Sequence, residues 1–228
     1  MSVDRLRGGL VVSCQARAGH PLHDTGVIAA LAQAAVAGGA AGLRINGEAD
    51  VRAVRELVGN IPIIGIRKVW TPGVPVYITP SFIDASAVAA AGADIIAVDA
   101  TGRLRAGGER LETLIPRIRS ELRRPVMADV ATFEEGERAA HLGADLIATT
   151  LSGYVGPGPV PDAPDLELVR RLARGLRVPV VAEGRYRTPE QVLEAFRAGA
   201  HAVVVGRAIT DALAITRSFV EALKGLRG

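Results

Sequence analysis

Eight short apolar runs constrain this chain more than any other feature. Each closes on a polar residue or a glycine, and most are followed by a helix-like stretch. They end at Gln15, Arg44, Lys68, Thr101, Asp129, Thr150, Glu183 and Arg207. The intervals, roughly 20 to 35 residues, are those of one strand plus a returning helix. Eight such units in 228 residues is the arithmetic of an α/β chain folded as a single (β/α)8 TIM barrel over 1–228. In that fold the C-terminal strand ends ring one pocket, so the polar residues that close the runs are expected to converge.

The strands are expected at Leu10 to Gln15, Gly42 to Asn46, Pro62 to Lys68, Asp94 to Thr101, Pro125 to Val130, Asp145 to Thr150, Pro179 to Gly184 and Ala202 to Gly206. Val76 to Thr79 reads as an additional short strand. Helices are expected from about Asp24 to Gly38, over ADVRAVRELV, over PSFIDASAVAAAGA, and over TPEQVLEAFRAGA with Thr188 as N-cap and Pro189 in the first turn. A C-terminal helix then closes the ring. GGAAGLRIN, AGADIIAVD, LGADLIATT and AGAHAVVVG resemble one another, each a helix end with a left-handed glycine turning into a strand. The rival architecture, a doubly wound open sheet, asks for G-x-G-x-x-G after the first strand, and SCQARAGH does not match it.

Composition narrows the function classes. Aromatics are 4% of the chain while small and aliphatic residues dominate, as buried parallel strands require. The lone cysteine, Cys14, excludes an internal disulfide and suits a reducing compartment. No apolar run approaches the roughly 18 residues that cross a bilayer, and MSVDRLRGG lacks a signal sequence, so a cytoplasmic protein with no membrane partner is expected. Net charge is only +3, and the basic residues lie along helix-like stretches such as ERLETLIPRIRSELRR without stacking aromatics. Nucleic acid is therefore not an expected partner. His20, His23, His141 and His201 are scattered, so no metal site is expected. Cys14 has no nearby base in sequence and reads as a small strand residue.

The rim carries the chemistry. In a ring of eight, Lys68 and Glu183 end opposite strands and are able to approach a bound carbon from opposite faces. That arrangement suits inversion at a C–H, one group removing the proton and the other supplying one. A lysine base needs its pKa lowered by burial or a neighbouring cation, for which Arg44 and Arg67 are both candidates. A Lys–Glu ion pair is the structural alternative, and strand alternation leaves open whether Arg67 or Lys68 points inward. Gln15 and Arg44 are donors suited to a carbonyl or developing oxyanion. Asp129 suits a substrate hydroxyl, or alternatively a cap for the helix beginning at TFEEG. Asp99 and Thr101 suit turn chemistry as well as a site. Thr149 and Thr150 suit either substrate or backbone groups. Gly184 and Gly206, with Arg185 and Arg207 beside them, fall in the loops after strands seven and eight, where barrels often hold phosphate; simple tight turns are the alternative.

These segments in order carry a resemblance: VSCQA with a following P-L, LRIN, IPIIGI-x-K, YITP, ADIIAVDAT, MADV-x-T-x-EEG, TTLSGY, V-x-AEGR-x-x-TPEQ and VVVG-x-AIT. From about Gly9 to Leu223 the chain resembles the N-acetylmannosamine-6-phosphate 2-epimerases of bacterial sialic-acid catabolism. The resemblance implies a metal-independent TIM barrel that interconverts N-acetylmannosamine 6-phosphate and N-acetylglucosamine 6-phosphate without a cofactor. It implies ring opening, loss of the C2 proton and reprotonation on the other face, with Lys68 as base, Glu183 as acid, and Gln15, Arg44 and Asp129 on the substrate. The implied ligand is a small phosphorylated amino sugar, and a homodimer is the expected assembly. Two departures stand out. Val69 and Trp70 follow the lysine where a charged residue is usual, and Arg207 and Asp211 stand where the family pattern has a small residue and a phosphate-binding arginine. An epimerase or isomerase of a related sugar phosphate, and a non-catalytic barrel that binds one, are the alternative functions.

Overall fold

In the computed structural model, which describes residues 2–224, eight parallel strands pair in chain order and the last returns to the first. They are β1 (Gly9–Cys14), β2 (Gly42–Asn46), β3 (Ile63–Ile66), β4 (Ile95–Asp99), β5 (Val126–Asp129), β6 (Leu146–Ala148), β7 (Val180–Glu183) and β8 (Ala202–Val205). The helices are α1 (Thr25–Ala37), α2 (Glu48–Val58), α3 (Phe82–Ala90), α4 (Leu111–Glu121), α5 (Phe133–His141), α6 (Leu166–Gly175), α7 (Pro189–Arg197), α8 (Arg207–Thr210) and α9 (Ala212–Lys224). This is a TIM barrel, closed by the register Gly9↔Ala202 to Val12↔Val205.

Strand alternation sorts the core into two layers. Val11, Ile64, Ile66, Ala97, Met127, Ala148 and Val204 fill the barrel, with Leu6 of a short N-terminal 3-10 helix buried among them. Their strand neighbours Val12, Leu43, Ile63, Val98, Ala128 and Val203 face outward into the seam beneath the helices. Helix starts are set by side-chain caps: Asp24 accepts from Val27 N, Thr132 from Glu135 N, Asp165 from Leu168 N and Thr188 from Gln191 N. Ser81 and Asp84 form a reciprocal capping box at α3. The four resembling approaches do turn through glycines of positive φ, namely Gly39, Gly92, Gly143 and Gly199. Among the described residues no helix is long and apolar enough to cross a membrane.

Three expectations need correction. The strands end earlier than the apolar runs suggest, leaving Gln15, Lys68, Thr101, Thr150, Gly184 and Gly206 just past the ladder, in backbone free to follow the site. The additional strand over Val76 to Thr79 is reduced to one antiparallel bridge, Lys68↔Ile78. The connection between them bulges outward, held by Val69 N to Tyr77 O (2.9 Å) and Thr79 N to Arg67 O (2.8 Å). Finally, the chain after β8 does not close the ring as one wall helix. A break at Asp211 separates the four-residue α8 from α9, which buries none of its residues and packs chiefly on α8.

Candidate active site

At the C-terminal end of the strands lies a cavity of about 990 Å³. Lys68, Glu183, Gln15, Arg44, Thr150, Gly184, Arg185, Gly206 and Arg207 all line it. Asp129 does not. It is wholly buried one level down, where it supports the lining residues from beneath. The spacing of the strand ends therefore brings the expected residues together, and the side chains decide what each one does.

At the centre is Arg44, whose side chain is 1% exposed. Its Nη1 donates to Asp129 Oδ1 (3.0 Å), Thr150 Oγ1 (3.3 Å) and Glu183 Oε2, and its Nη2 donates to Asp129 Oδ2. Thr150 Oγ1 in turn donates to Asp129 Oδ1 at 2.6 Å. Burial opposes the guanidinium charge, but Asp129 and then Glu183 outweigh it and keep Arg44 protonated beyond the ordinary arginine. Arg44, expected as an oxyanion donor, lines the cavity, and its terminal nitrogens also organise two carboxylates. The capping alternative for Asp129 fails, because Thr132 caps α5.

With Lys68 charged, two cations balance the two carboxylates; once Lys68 gives up its proton, Asp129 and Glu183 share the Arg44 cation alone and a proton on one carboxyl relieves the surplus. Glu183 is the one of the two whose proton affinity is raised. Burial raises its pKa, Arg44 opposes and Asp129 adds to the rise. Its backbone is clamped by Thr149, whose Oγ1 donates to Glu183 O (2.9 Å) and accepts from Glu183 N (3.0 Å). Only Oε2 takes part in the Arg44 network; Oε1 has no hydrogen-bond partner among the described residues.

Lys68 settles the inward/outward question on β3. Arg67 turns out, pairing with Glu48 (3.3 Å) and Asp84 (3.3 Å), while Lys68 lines the cavity. The Lys68 backbone N donates to Asn46 Oδ1 at 2.8 Å, fixing the strand end. No Lys68–Glu183 ion pair forms among the described residues, since Glu183 pairs with Arg44. Burial first, then the Arg44 charge, lower the Lys68 pKa from 10.5 to about 8. The neighbouring cation is thus Arg44, not Arg67. The result is an amine of lowered pKa and a carboxyl of raised pKa on opposite strands, a pair suited to proton transfer at carbon.

The remaining residues divide. Gln15 Nε2 donates to Ser13 Oγ (2.8 Å), and its buried Oε1 has no partner. Arg207 is 78% exposed at the mouth, 4.0 Å from Asp211. Asp211 does not line the cavity; it accepts from Ala214 N (2.9 Å) at the start of α9 and pairs with His20 (3.3 Å). The Arg185 guanidinium is engaged by the β6–α6 connection, its Nε donating to Ala163 O (2.6 Å) and its Nη1 to Ser152 O. Asp99 is occupied by turn chemistry, accepting from Thr101 N (2.9 Å) and Arg103 Nη2 (2.6 Å). Trp70, unusual in the sequence pattern, lies outside the cavity and stacks on Tyr77, with ring centroids 5.7 Å apart. Cys14 is buried, and desolvation pushes its thiol up to about 12, far from a nucleophile's range. No group of three or more His, Cys, Asp or Glu among the described residues is placed to hold a metal ion.

Sequence reasoning missed Tyr77, Tyr154 and Phe219, which also line the cavity. The first two sit in motifs already singled out, YITP and TTLSGY, so position after a strand was the available signal. Phe219 carried none, because it arrives from the distant C-terminal helix.

Residues 28–225 match the family model NanE, described as "Putative N-acetylmannosamine-6-phosphate epimerase". Curated relatives with the corresponding 2-epimerase description include one from Caldanaerobacter subterraneus, 46% identical over 99% of this chain and 95% of its own length. Another, from Thermosynechococcus vestitus, is 49% identical over 96% of this chain and 95% of its own. Among solved structures, the N-acetylmannosamine-6-phosphate 2-epimerase from Clostridium perfringens superposes with a TM-score of 0.93 at 38% identity, covering 98% of this chain and 96% of that one. A thiamine phosphate pyrophosphorylase from Pyrococcus furiosus, at 18% identity and a TM-score of 0.60, shares the fold alone.

Proposed function

Since this chain belongs to the family of N-acetylmannosamine-6-phosphate 2-epimerases, we propose that it interconverts N-acetylmannosamine 6-phosphate and N-acetylglucosamine 6-phosphate through the ring-opened sugar. The carrying observation is that one cavity brings together, from opposite strands, Lys68 with its pKa lowered to about 8 and Glu183 with its pKa raised by burial. In the open-chain aldehyde the C2 proton lies next to a carbonyl and is acidified by it. Neutral Lys68 removes that proton, the electrons pass to the carbonyl oxygen, and Glu183 Oε1 delivers a proton to the opposite face of C2. The acetamido nitrogen stays bonded throughout. In the reverse direction the two groups exchange roles, and the chemistry requires no cofactor.

Arg44 is a positioning group in this scheme: it holds Glu183 through Oε2, leaves Oε1 free for substrate, and adds to the burial that lowers the Lys68 pKa. Gln15 offers its unpartnered Oε1 to a substrate donor. The backbone at Gly184 and Gly206, with Arg207 at the mouth, is suited to the 6-phosphate. A homodimer is part of the proposal, supported by α9, whose Phe219, Val220 and Leu223 are exposed. Incubation with N-acetylmannosamine 6-phosphate, followed by proton NMR, tests the assignment. Growth of N-acetylglucosamine 6-phosphate signals is expected, and folded protein that leaves the substrate unchanged refutes it.

A further inference from the structure

The segment between β6 and α6, residues 149–165, is the longest excursion at the mouth, and three of its glycines have positive φ. Its composition offers no helix or strand to stiffen it. Yet Leu151, Tyr154, Val160, Pro161 and Asp162 form one side of the cavity. Something must hold that wall in place, and the hydrogen bonds identify it.

Arg185 follows directly after Glu183 and Gly184. It sits at φ +64, a left-handed conformation that is unfavourable for a non-glycine residue and persists only when its surroundings enforce it. That backbone turn throws its guanidinium under the loop. There Nε donates to Ala163 O at 2.6 Å and Nη1 to Ser152 O, so one planar fork joins the two ends of the excursion. The same guanidinium lies 5.4 Å from the Tyr154 ring centroid, inside cation–π range. Ser152 Oγ donates to Asp165 Oδ2 (2.6 Å), which reinforces the same closure. The loop has made room for the fork: a Cβ on Gly153 would meet Arg185 Nη1 at 3.0 Å and Pro161 Cδ at 2.7 Å.

We propose that Arg185 is a positioning residue that clasps the 149–165 loop to the turn carrying Glu183, so that cavity wall and acid are set as one unit. The coupling runs both ways along the chain. The loop leaves β6 through Thr149 and Thr150, which hold the Glu183 backbone and its Oε2. The arginine two residues after Glu183 returns to grip the loop's far end. A loosened clasp displaces Glu183 relative to Lys68, and a misplacement of about 1 Å at a reacting group costs on the order of 100-fold in rate. Arg185 therefore acts on the reaction through its neighbours and not by contact with the phosphate.

The kinetic part of this proposal rests on the epimerase reading, so its test includes a readout that does not. Amide hydrogen exchange of residues 149–165 is compared between the unaltered protein, R185A and R185K, alongside kcat and KM for N-acetylmannosamine 6-phosphate and for N-acetylmannosamine. Expected are faster exchange confined to the loop, a kcat loss of roughly 10- to 100-fold in R185A, and equal proportional losses on the sugar with and without phosphate. R185K, which keeps the charge but cannot make both bonds, is expected to resemble R185A in exchange. Unchanged loop exchange in both variants overturns the clasp, whatever the activity. A defect found only with the phosphorylated sugar and rescued by lysine also overturns it, assigning Arg185 to phosphate. If the unaltered protein lacks activity on N-acetylmannosamine 6-phosphate while the loop loosens in the variants, the clasp stands and the substrate assignment falls.

Discussion

Replacing Lys68 by arginine separates positive charge from basicity at one position. Burial and the Arg44 charge bring the lysine from 10.5 to about 8. At pH 7 an ordinary lysine is neutral in only about 0.03% of molecules, whereas one titrating near 8 is neutral in roughly 9%, a gain of a few hundred-fold in competent base. The active form is the deprotonated one, so kcat/KM for the unaltered protein is expected to rise about tenfold from pH 6 to pH 7, to reach about half its maximum near pH 8 and to level off above that. Arginine retains length and charge but does not deprotonate in proteins. K68R is therefore expected to lose about 100- to 10,000-fold in kcat with no recovery at high pH. The assay is initial-rate conversion across pH 6 to 9, with circular dichroism to show that K68R is folded. A flat profile across pH 6 to 8 in the unaltered protein, or a K68R rate within a few-fold of it, refutes the assignment of Lys68 as base.

Other outcomes follow from the same geometry. E183Q keeps an oxygen for Arg44 Nη1 but loses the transferable proton, and kcat is expected to fall about 100-fold or more with little change in KM. Because the folded-state lysine pKa is depressed, charged Lys68 destabilises the fold below about pH 8, and this penalty fades as pH rises from 8 toward 10.5. K68M is then expected to be inactive yet to melt a few degrees higher at pH 7, by differential scanning calorimetry; an unchanged or lower Tm counts against the buried charge. R207A is expected to raise KM a few-fold without altering kcat, as an exposed charge near bound phosphate should. An unchanged KM removes Arg207 from the phosphate site.

Much of the architecture was legible because strand ends and helix starts are local. The period of the apolar runs located all eight strands, and Thr188–Pro189 and the four repeated glycine turns marked helix boundaries correctly. Which residues meet was legible for the same reason, since a closed parallel barrel sends every strand end to one face. What each residue does was not. Arg44 and Glu183 are 139 residues apart in sequence, and only their side-chain geometry shows that the guanidinium is spent on carboxylates. Asp129 reads the same whether it touches the cavity or lies beneath it. The AEGR motif suggests Arg185 as a phosphate ligand, while its left-handed backbone turns the side chain to Ser152 and Ala163. The separation of α8 from α9 depends on a break at Asp211 that local pattern, helical on both sides, does not announce.

The central claim, a two-sided proton exchange at C2, is tested most directly by following the first turnovers of N-acetylmannosamine 6-phosphate in D2O by proton NMR. Removal by Lys68 and return from a solvent-exchanged Glu183 predict that N-acetylglucosamine 6-phosphate forms with deuterium at C2 from the outset, and with no label at other carbons. Product that retains its C2 proton contradicts the account.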